Sequence, residues 1–206
     1  MPIQFEPTSW AFTLIVLGGY LIGSIPFGLL LTKMAGLGDI RSVGSGNIGA
    51  TNVLRTGRRG LAASTLLLDG GKGALVVWLG AMAAIPQATE VGGLVAGAGA
   101  VLGHNFPVWL RFQGGKGVAT TLGMTLGAVP IVGAMSCVTW IAMAIIFRYS
   151  SLAALIALAV APLFALLLGM TNPALMFLAL AVLGWVRHWA NIGRLLKGEE
   201  PQIGGS

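Results

Sequence analysis

Long apolar runs broken by short polar stretches occupy the chain from residue 8 to residue 191, and they predict seven helices. These cover residues 8–34, 59–83, 90–103, 116–127, 129–147, 150–169 and 174–191. A helix that crosses a bilayer needs about 20 mostly apolar residues. The third and fourth runs are shorter, so tilt or partial burial behind neighbours is expected of them. Dividing 116–147 in two rests on "GAVP", where Pro130 suits the first turn of a new helix. A single helix there would bring the count to six and reverse the side on which everything later lies.

Composition explains why these runs belong in lipid. Of 206 residues, 56% are hydrophobic and only 9% charged, and the mean hydropathy is +0.88. That is too little charge to cover a water-soluble globule of this size. The expected fold is an all-α polytopic membrane protein, one transmembrane domain over residues 1–206. Gly19 with Gly23, Gly93 with Gly97, Gly99 with Gly103 and Gly123 with Gly127 recur at the four-residue spacing that lets helix backbones approach closely. Most of the 32 glycines are read this way. The single cysteine, Cys137, excludes an internal disulfide, and no long repeat of the secondary-transporter kind is present.

The net charge of +6 would suit a nucleic-acid binder, but the basic residues lie between apolar runs, so they are read as topology. With the N-terminus outside and the C-terminus cytoplasmic, Lys33, Arg41, Arg55, Arg58, Arg59, Arg111, Lys116, Arg148, Arg187, Arg194 and Lys197 fall at cytoplasmic ends. The outer connections then carry Glu6 and Glu90, and Lys72 alone departs from the rule. The first run is too long for a signal-peptide core and is expected to stay as a helix.

Four polar interruptions carry the candidate chemistry. "GSGNIGATNVLRTGRRG" (44–60) has a formal G-x-G-x-x-G at Gly44, Gly46 and Gly49, but no βαβ unit surrounds it to make a dinucleotide site. What remains is a flexible backbone bearing Ser45, Asn47, Thr51 and Asn52, with Arg55 close behind, groups suited to an anion. Arg58 and Arg59 are read as anchors to anionic lipid. "LLLDGGKGALVV" sets Asp69 and Lys72 three apart inside an apolar helix, where they can pair. Either a structural ion pair or a substrate contact fits them.

"GHNFPVWLRFQGGKGVAT" (103–120) ends in a glycine cluster that is not a Walker A motif, since position 110 is Leu and Lys116 is followed by Gly117. Placed before a helix, Gly114, Gly115 and Lys116 favour an anion through free N–H groups, the dipole and the ammonium. His104 is a candidate acid, base or donor, or a structural hydrogen-bond donor at the interface. "RHWANIGRLLKGEE" (187–200) spaces Arg187, Asn191 and Arg194 on one helical face, with His188 beside Asn191.

Together these predict a pocket open to the cytoplasm that holds more than one phosphate. Only six acidic residues exist and no two of the expected pocket group are acidic, so neither a metal nor another cofactor is expected. The His-x4-Asp pattern of many glycerolipid acyltransferases is missing, because Trp109 follows His104 and Gly193 follows His188 at that spacing.

"GSGNIGATNVLR", "GHNFPVWLRFQGGKGVAT" and "RHWANIGRLLKGEEPQI", in this order and with "DGGKG" between the first two, resemble the bacterial membrane family of acyl-phosphate-dependent glycerol-3-phosphate acyltransferases. The resemblance covers essentially the whole chain. It implies transfer of an acyl group from acyl phosphate to the 1-hydroxyl of sn-glycerol 3-phosphate, in the bacterial inner membrane, by a monomer whose site faces the cytoplasm. It also implies roles: Arg55, Lys116, His188 and Asn191 on glycerol 3-phosphate; Ser45, Gly46, Asn47, Thr51 and Asn52, with Gly114 and Gly115, on acyl phosphate; His104, Lys116 and Asn191 at the reacting groups; Asp69 and Lys72 in support. The attacking hydroxyl's proton is expected to go to the substrate's own phosphate rather than to His104, since no carboxylate is seen to accompany either histidine. A flippase of phosphorylated lipids and a membrane scaffold are the other classes the basic loops suit. The first should open to both faces, and the second leaves Asp69 and Lys72 unexplained.

Overall fold

A proline breaks the first apolar run where the pattern showed a single helix. In the computed structural model, which describes residues 7–204, α1 (Pro7–Gly23) stops before Pro26 and α2 (Phe27–Met34) resumes after it. Pro26 has no N–H to give and disfavours helical backbone in the residue before it. The Ile25 carbonyl is therefore left outside the regular helical ladder.

A short helix, α3 (Ala50–Leu54), follows within the first polar loop, and α4 (Arg59–Ala83), α5 (Thr89–Asn105), α6 (Val118–Ala128), α7 (Pro130–Phe147) and α8 (Ser150–Leu167) come next. The split at Pro130 is present, with the proline in the first turn of α7. The last apolar run differs from its expected course. α9 (Thr171–Arg187) ends at His188, and α10 (Trp189–Lys197) leaves at 62°. Arg187 and Asn191 thus do not share one straight helical face.

The protein is all-helical among its described residues, and it is an integral membrane protein. Five segments are long and apolar enough to cross a bilayer: Trp10–Met34, Arg59–Ala83, Thr89–Leu110, Pro130–Phe147 and Ser150–Leu167, with α9 and α10 as a sixth if the bent pair is one span. The fourth expected helix (116–127), here α6, exists but has only 11 residues. At about 1.5 Å per residue it reaches roughly half of a ~30 Å hydrocarbon core.

Glycines set how closely these helices meet. α1 packs on α5, and α4 packs on both α5 and α6. A Cβ at Gly19 or Gly23 would land on the Ala96 or Ala100 carbonyl, and one at Gly99 or Gly103 on that of Val16 or Tyr20. Gly73 meets the Thr120 carbonyl and Gly123 that of Gly70 in the same way. Between α4, α5, α6, α7, α8 and α9 lies the main apolar core, which includes Val77, Val101, Met124, Val132, Ala161 and Phe177.

At one end of the bundle Asn172 donates to Glu90 at 3.2 Å. The polar loops gather at the other end, where α5 stops and α6 starts. Glu6 lies outside the described residues.

Candidate active site

The first polar loop is organised by Asn52. Its buried amide donates to the carbonyls of Ile40, Val43 and Asn47 at 3.0, 2.9 and 2.8 Å, and accepts from the Ser45 N–H at 3.0 Å and hydroxyl at 3.3 Å. Nothing is left over for a substrate, so Asn52 serves by holding the loop in shape. Gly44 lies in left-handed backbone at φ 54°, and a Cβ there would come 2.5 Å from Asn52 Oδ1 and 2.8 Å from Arg55 Cδ. Ser45 and Gly46 are exposed at the loop's crest. The Gly46 N–H donates to Val43 O at 3.0 Å. Thr51 ties the loop to the start of α8 through the Ser150 hydroxyl at 2.9 Å.

The second loop folds back on the end of α5. Gly114 and Gly115 N–H groups donate to Asn105 O and His104 O at 3.2 and 3.0 Å. Arg187 grips its other side, donating to Gly114 O at 3.2 Å and to Gly115 O at 3.0 Å while lying 5.0 Å over the Phe106 ring. This clamp sets where Lys116 starts from. Gly117, at φ 75°, then caps α6 in a conformation few other residues adopt without cost.

Lys116 Nζ donates to Asn191 Oδ1. The Asn191 amide donates in turn to Glu200 Oε1 at 2.6 Å, and Arg194 Nε donates to Glu200 Oε2 at 2.7 Å. Burial lowers the Lys116 ammonium to about 8; Glu200 opposes this, and the charges of Arg194, Arg187 and Arg55 add to it. Those influences place all three loops within electrostatic range of one ammonium. Burial would raise the Glu200 carboxyl, but its hydrogen bonds, that from Asn191 foremost, hold it below the usual carboxylate range. His188 is buried beside Asn191's helix, with Nδ1 2.7 Å from Gly184 O. A carbonyl only accepts, so the ring proton sits on Nδ1 and Nε2 offers a lone pair.

Inside the bundle Lys72 Nζ pairs with Asp69 at 2.8 Å, as the three-residue spacing suggested, and 5.5 Å from it lies the Phe27 ring. It also reaches His104 Nδ1 at 3.0 Å, and Asp69 Oδ1 is 3.5 Å from that nitrogen.

Two expectations about acidic residues therefore need correction. Glu200 enters the cation cluster on the segment after α10, and Asp69 stands next to His104. Glu200 had a weak signal in the sequence: Gly198 ends α10 in left-handed backbone, and Pro201 disfavours helical backbone in the residue before it, so Glu200 lies off the helix. Asp69 and His104 are 35 residues apart, and only the packing of α4 on α5 joins them. Among the described residues, no group of three or more His, Cys, Asp or Glu side chains converges as a metal site would require.

The family described as Glycerol-3-phosphate acyltransferase matches residues 13–198. A glycerol-3-phosphate acyltransferase of Paramagnetospirillum magneticum (strain ATCC 700264 / AMB-1) is 62% identical over 189 residues, which cover 92% of each chain. That of Rhodospirillum rubrum is 58% identical over 192 residues, covering 91% of this chain and 89% of the relative. The crystal structure of PlsY (YgiH), an integral membrane glycerol 3-phosphate acyltransferase, in its glycerol 3-phosphate form matches with a TM-score of 0.84 at 36% identity, over 93% of this chain and 94% of that one. Its lysophosphatidic acid form matches with a TM-score of 0.81 at 34% identity, over the same shares.

Proposed function

Because the chain belongs to the glycerol-3-phosphate acyltransferase family, we propose that it takes its acyl group from acyl phosphate and esterifies the 1-hydroxyl of sn-glycerol 3-phosphate. The products are 1-acyl-sn-glycerol 3-phosphate and inorganic phosphate. The observation that carries this reading is the position of Lys116, held by Asn191 within range of Arg55, Arg187 and Arg194 with Glu200 as the opposing carboxylate. Such a surplus of positive charge suits two phosphates better than one. Membership of the family removes the flippase and the scaffold from consideration.

Arg55, Lys116, His188 and Asn191 hold glycerol 3-phosphate. Ser45, Asn47 and Thr51 hold the acyl phosphate; Asn52 contributes by shaping the first loop, and Gly46, Gly114 and Gly115, whose N–H groups are not free as expected but given to Val43 O, Asn105 O and His104 O, contribute by setting the course of the two loops and the start of Lys116. With its proton on Nδ1, His188 accepts from a glycerol hydroxyl through Nε2 rather than contacting a phosphate oxygen. The enzyme works as a monomer in the bacterial inner membrane, with the site toward the cytoplasm, and needs no cofactor.

Acyl phosphate is a mixed anhydride and is already activated, so holding the two anions together supplies much of the rate. The hydroxyl oxygen attacks the acyl carbon, an ester C–O bond forms, and the C–O bond to phosphate breaks. Phosphate leaves with the electron pair and takes the hydroxyl proton. Although Asp69 stands beside His104, it does not make the ring a base: Lys72 next to His104 Nδ1 makes that nitrogen an acceptor and leaves the ring without a free lone pair on Nε2.

The reading is tested by phosphate release from palmitoyl phosphate in purified protein, with and without glycerol 3-phosphate. Release that depends on both substrates is expected; none from folded protein overturns the donor assignment. In the same assay His104→Ala lowers kcat by roughly ten- to hundredfold, the worth of one hydrogen bond to a charged group. Complete loss with folding and binding intact would restore His104 as the base.

Acid–base behaviour adds a further check. The ammonium form of Lys116 is the one that attracts phosphate, and it loses its proton as pH rises through about 8. The value of kcat/KM for glycerol 3-phosphate therefore falls above that pH, whereas kcat falls only at higher pH because bound phosphate raises the ammonium's pKa. A profile that stays flat for two further pH units would show that Lys116 charge is not needed.

A further inference from the structure

The bundle buries more charge beside His104 than the reaction, as proposed, uses. Lys72, Asp69 and His104 have side chains only 2%, 3% and 4% exposed. Lys72 Nζ lies 2.8 Å from Ile25 O, 2.8 Å from Asp69 Oδ1 and 3.0 Å from His104 Nδ1. Ile25 O and His104 Nδ1 stand as hydrogen-bond acceptors to a group that, as an ammonium, has three donors, and the Asp69 carboxylate pairs with it by charge. A neutral amine would leave the Asp69 carboxylate buried with no counter-charge, a costly state in an apolar interior. With Lys72 charged, His104 Nδ1 is an acceptor, and the ring proton resides on Nε2. Asp69 Oδ1, 3.5 Å from Nδ1, is too distant to claim that proton. The Nε2 edge is turned to Gly115, where a Cβ would overlap it, one residue from Lys116.

We propose that Lys72, held by Asp69, is a positioning residue that locks His104 in the Nε2–H tautomer, so that the imidazole is a fixed hydrogen-bond donor to a phosphate oxygen of the acyl donor. This rests on the acyl transfer proposed above. An imidazole among apolar neighbours alone would be free to carry its proton on either nitrogen, and part of its population would turn a lone pair toward the anion. A donor fixed before the substrate arrives needs no reorganisation when charge develops on the departing phosphate. The two histidines then hold opposite tautomers, His104 for a phosphate and His188 for a hydroxyl.

The test is nitrogen NMR of the whole protein labelled with 15N-histidine, without substrates, in lipid nanodiscs. Only two histidines exist, so His188→Gln assigns both spectra. His104 is expected to carry its proton on Nε2 in the wild type. Asp69→Leu combined with Lys72→Met removes both charges together and leaves no unpaired ion in the bundle. In that variant the single tautomer of His104 is lost and kcat falls about tenfold, while KM for glycerol 3-phosphate is unchanged. A wild-type spectrum with the His104 proton on Nδ1 overturns the proposal, whether or not the double variant folds. A folded double variant with the wild-type tautomer and kcat overturns it as well, since the pair would then be a strut only. Failure of the acyl transfer reading itself would appear separately, as absence of phosphate release from a wild type whose spectrum can still be read.

Discussion

Lys116→Ala lowers kcat/KM for acyl transfer by about a thousandfold or more and leaves the fold intact. The ammonium contributes twice. It binds an anionic substrate, where a charged hydrogen bond is worth about 1.5–3 kcal/mol, and it faces charge that develops as the phosphate leaves, where one lost donor costs roughly 2.7–4 kcal/mol. Little else depends on it, since Lys116 is a half-buried loop residue whose ammonium donates to Asn191. Removing it also leaves Asn191 turned by Glu200 with its carbonyl oxygen unmatched. Lys116→Arg keeps the charge but not the compact shape, and is expected to fall between wild type and alanine. Initial rates beside a thermal melt decide the matter, and an alanine variant within tenfold of wild type would move the anion site elsewhere.

Gly123→Val, by contrast, destroys the protein before it reaches the chemistry. A Cβ at 123 would sit on the Gly70 carbonyl, and the reciprocal contact of Gly73 with Thr120 shows that α4 and α6 touch backbone to backbone. No side chain can move aside, because the obstacle is main chain on a second helix. Overpacking a well-filled interior costs about 1–3 kcal/mol and more where backbones must separate. Here separation also parts Lys72 on α4 from the loop that opens α6. Gly18→Val is the control: a Cβ there meets nothing within 4 Å. Size-exclusion profiles and melting temperatures should show the first variant aggregated or strongly destabilised and the second unchanged. Equal behaviour of the two would mean that the helices are not in contact as described.

The helices were legible because lipid demands long apolar runs, and because Pro130 and the glycine spacings are local signals. The loops at 44–55, 103–117 and 187–200 were legible as polar islands for the same reason. What stayed hidden depended on contacts across the chain. Nothing near residue 188 announces a 62° turn, so Arg187 was grouped with Asn191 although one clamps a glycine loop and the other meets Lys116. Asn52 reads as a polar side chain ready for a ligand, yet its amide is fully engaged within its own loop. Glu200 follows the last helix in a stretch without periodicity, and only its return to Asn191 and Arg194 gives it a place.

The interruption at Pro26 alters how substitutions in this protein should be weighed. A broken helix is usually treated as a defect that neighbours tolerate, but here the gap supplies the carbonyl to which Lys72 donates. Ile25 O accepts from the Phe27 N–H at 3.1 Å and from Lys72 together, and repairing the helix would turn that oxygen along the helix axis, away from Lys72. Positions 26 and 72, distant in the chain, thus meet at one oxygen, and a substitution at either bears on the other.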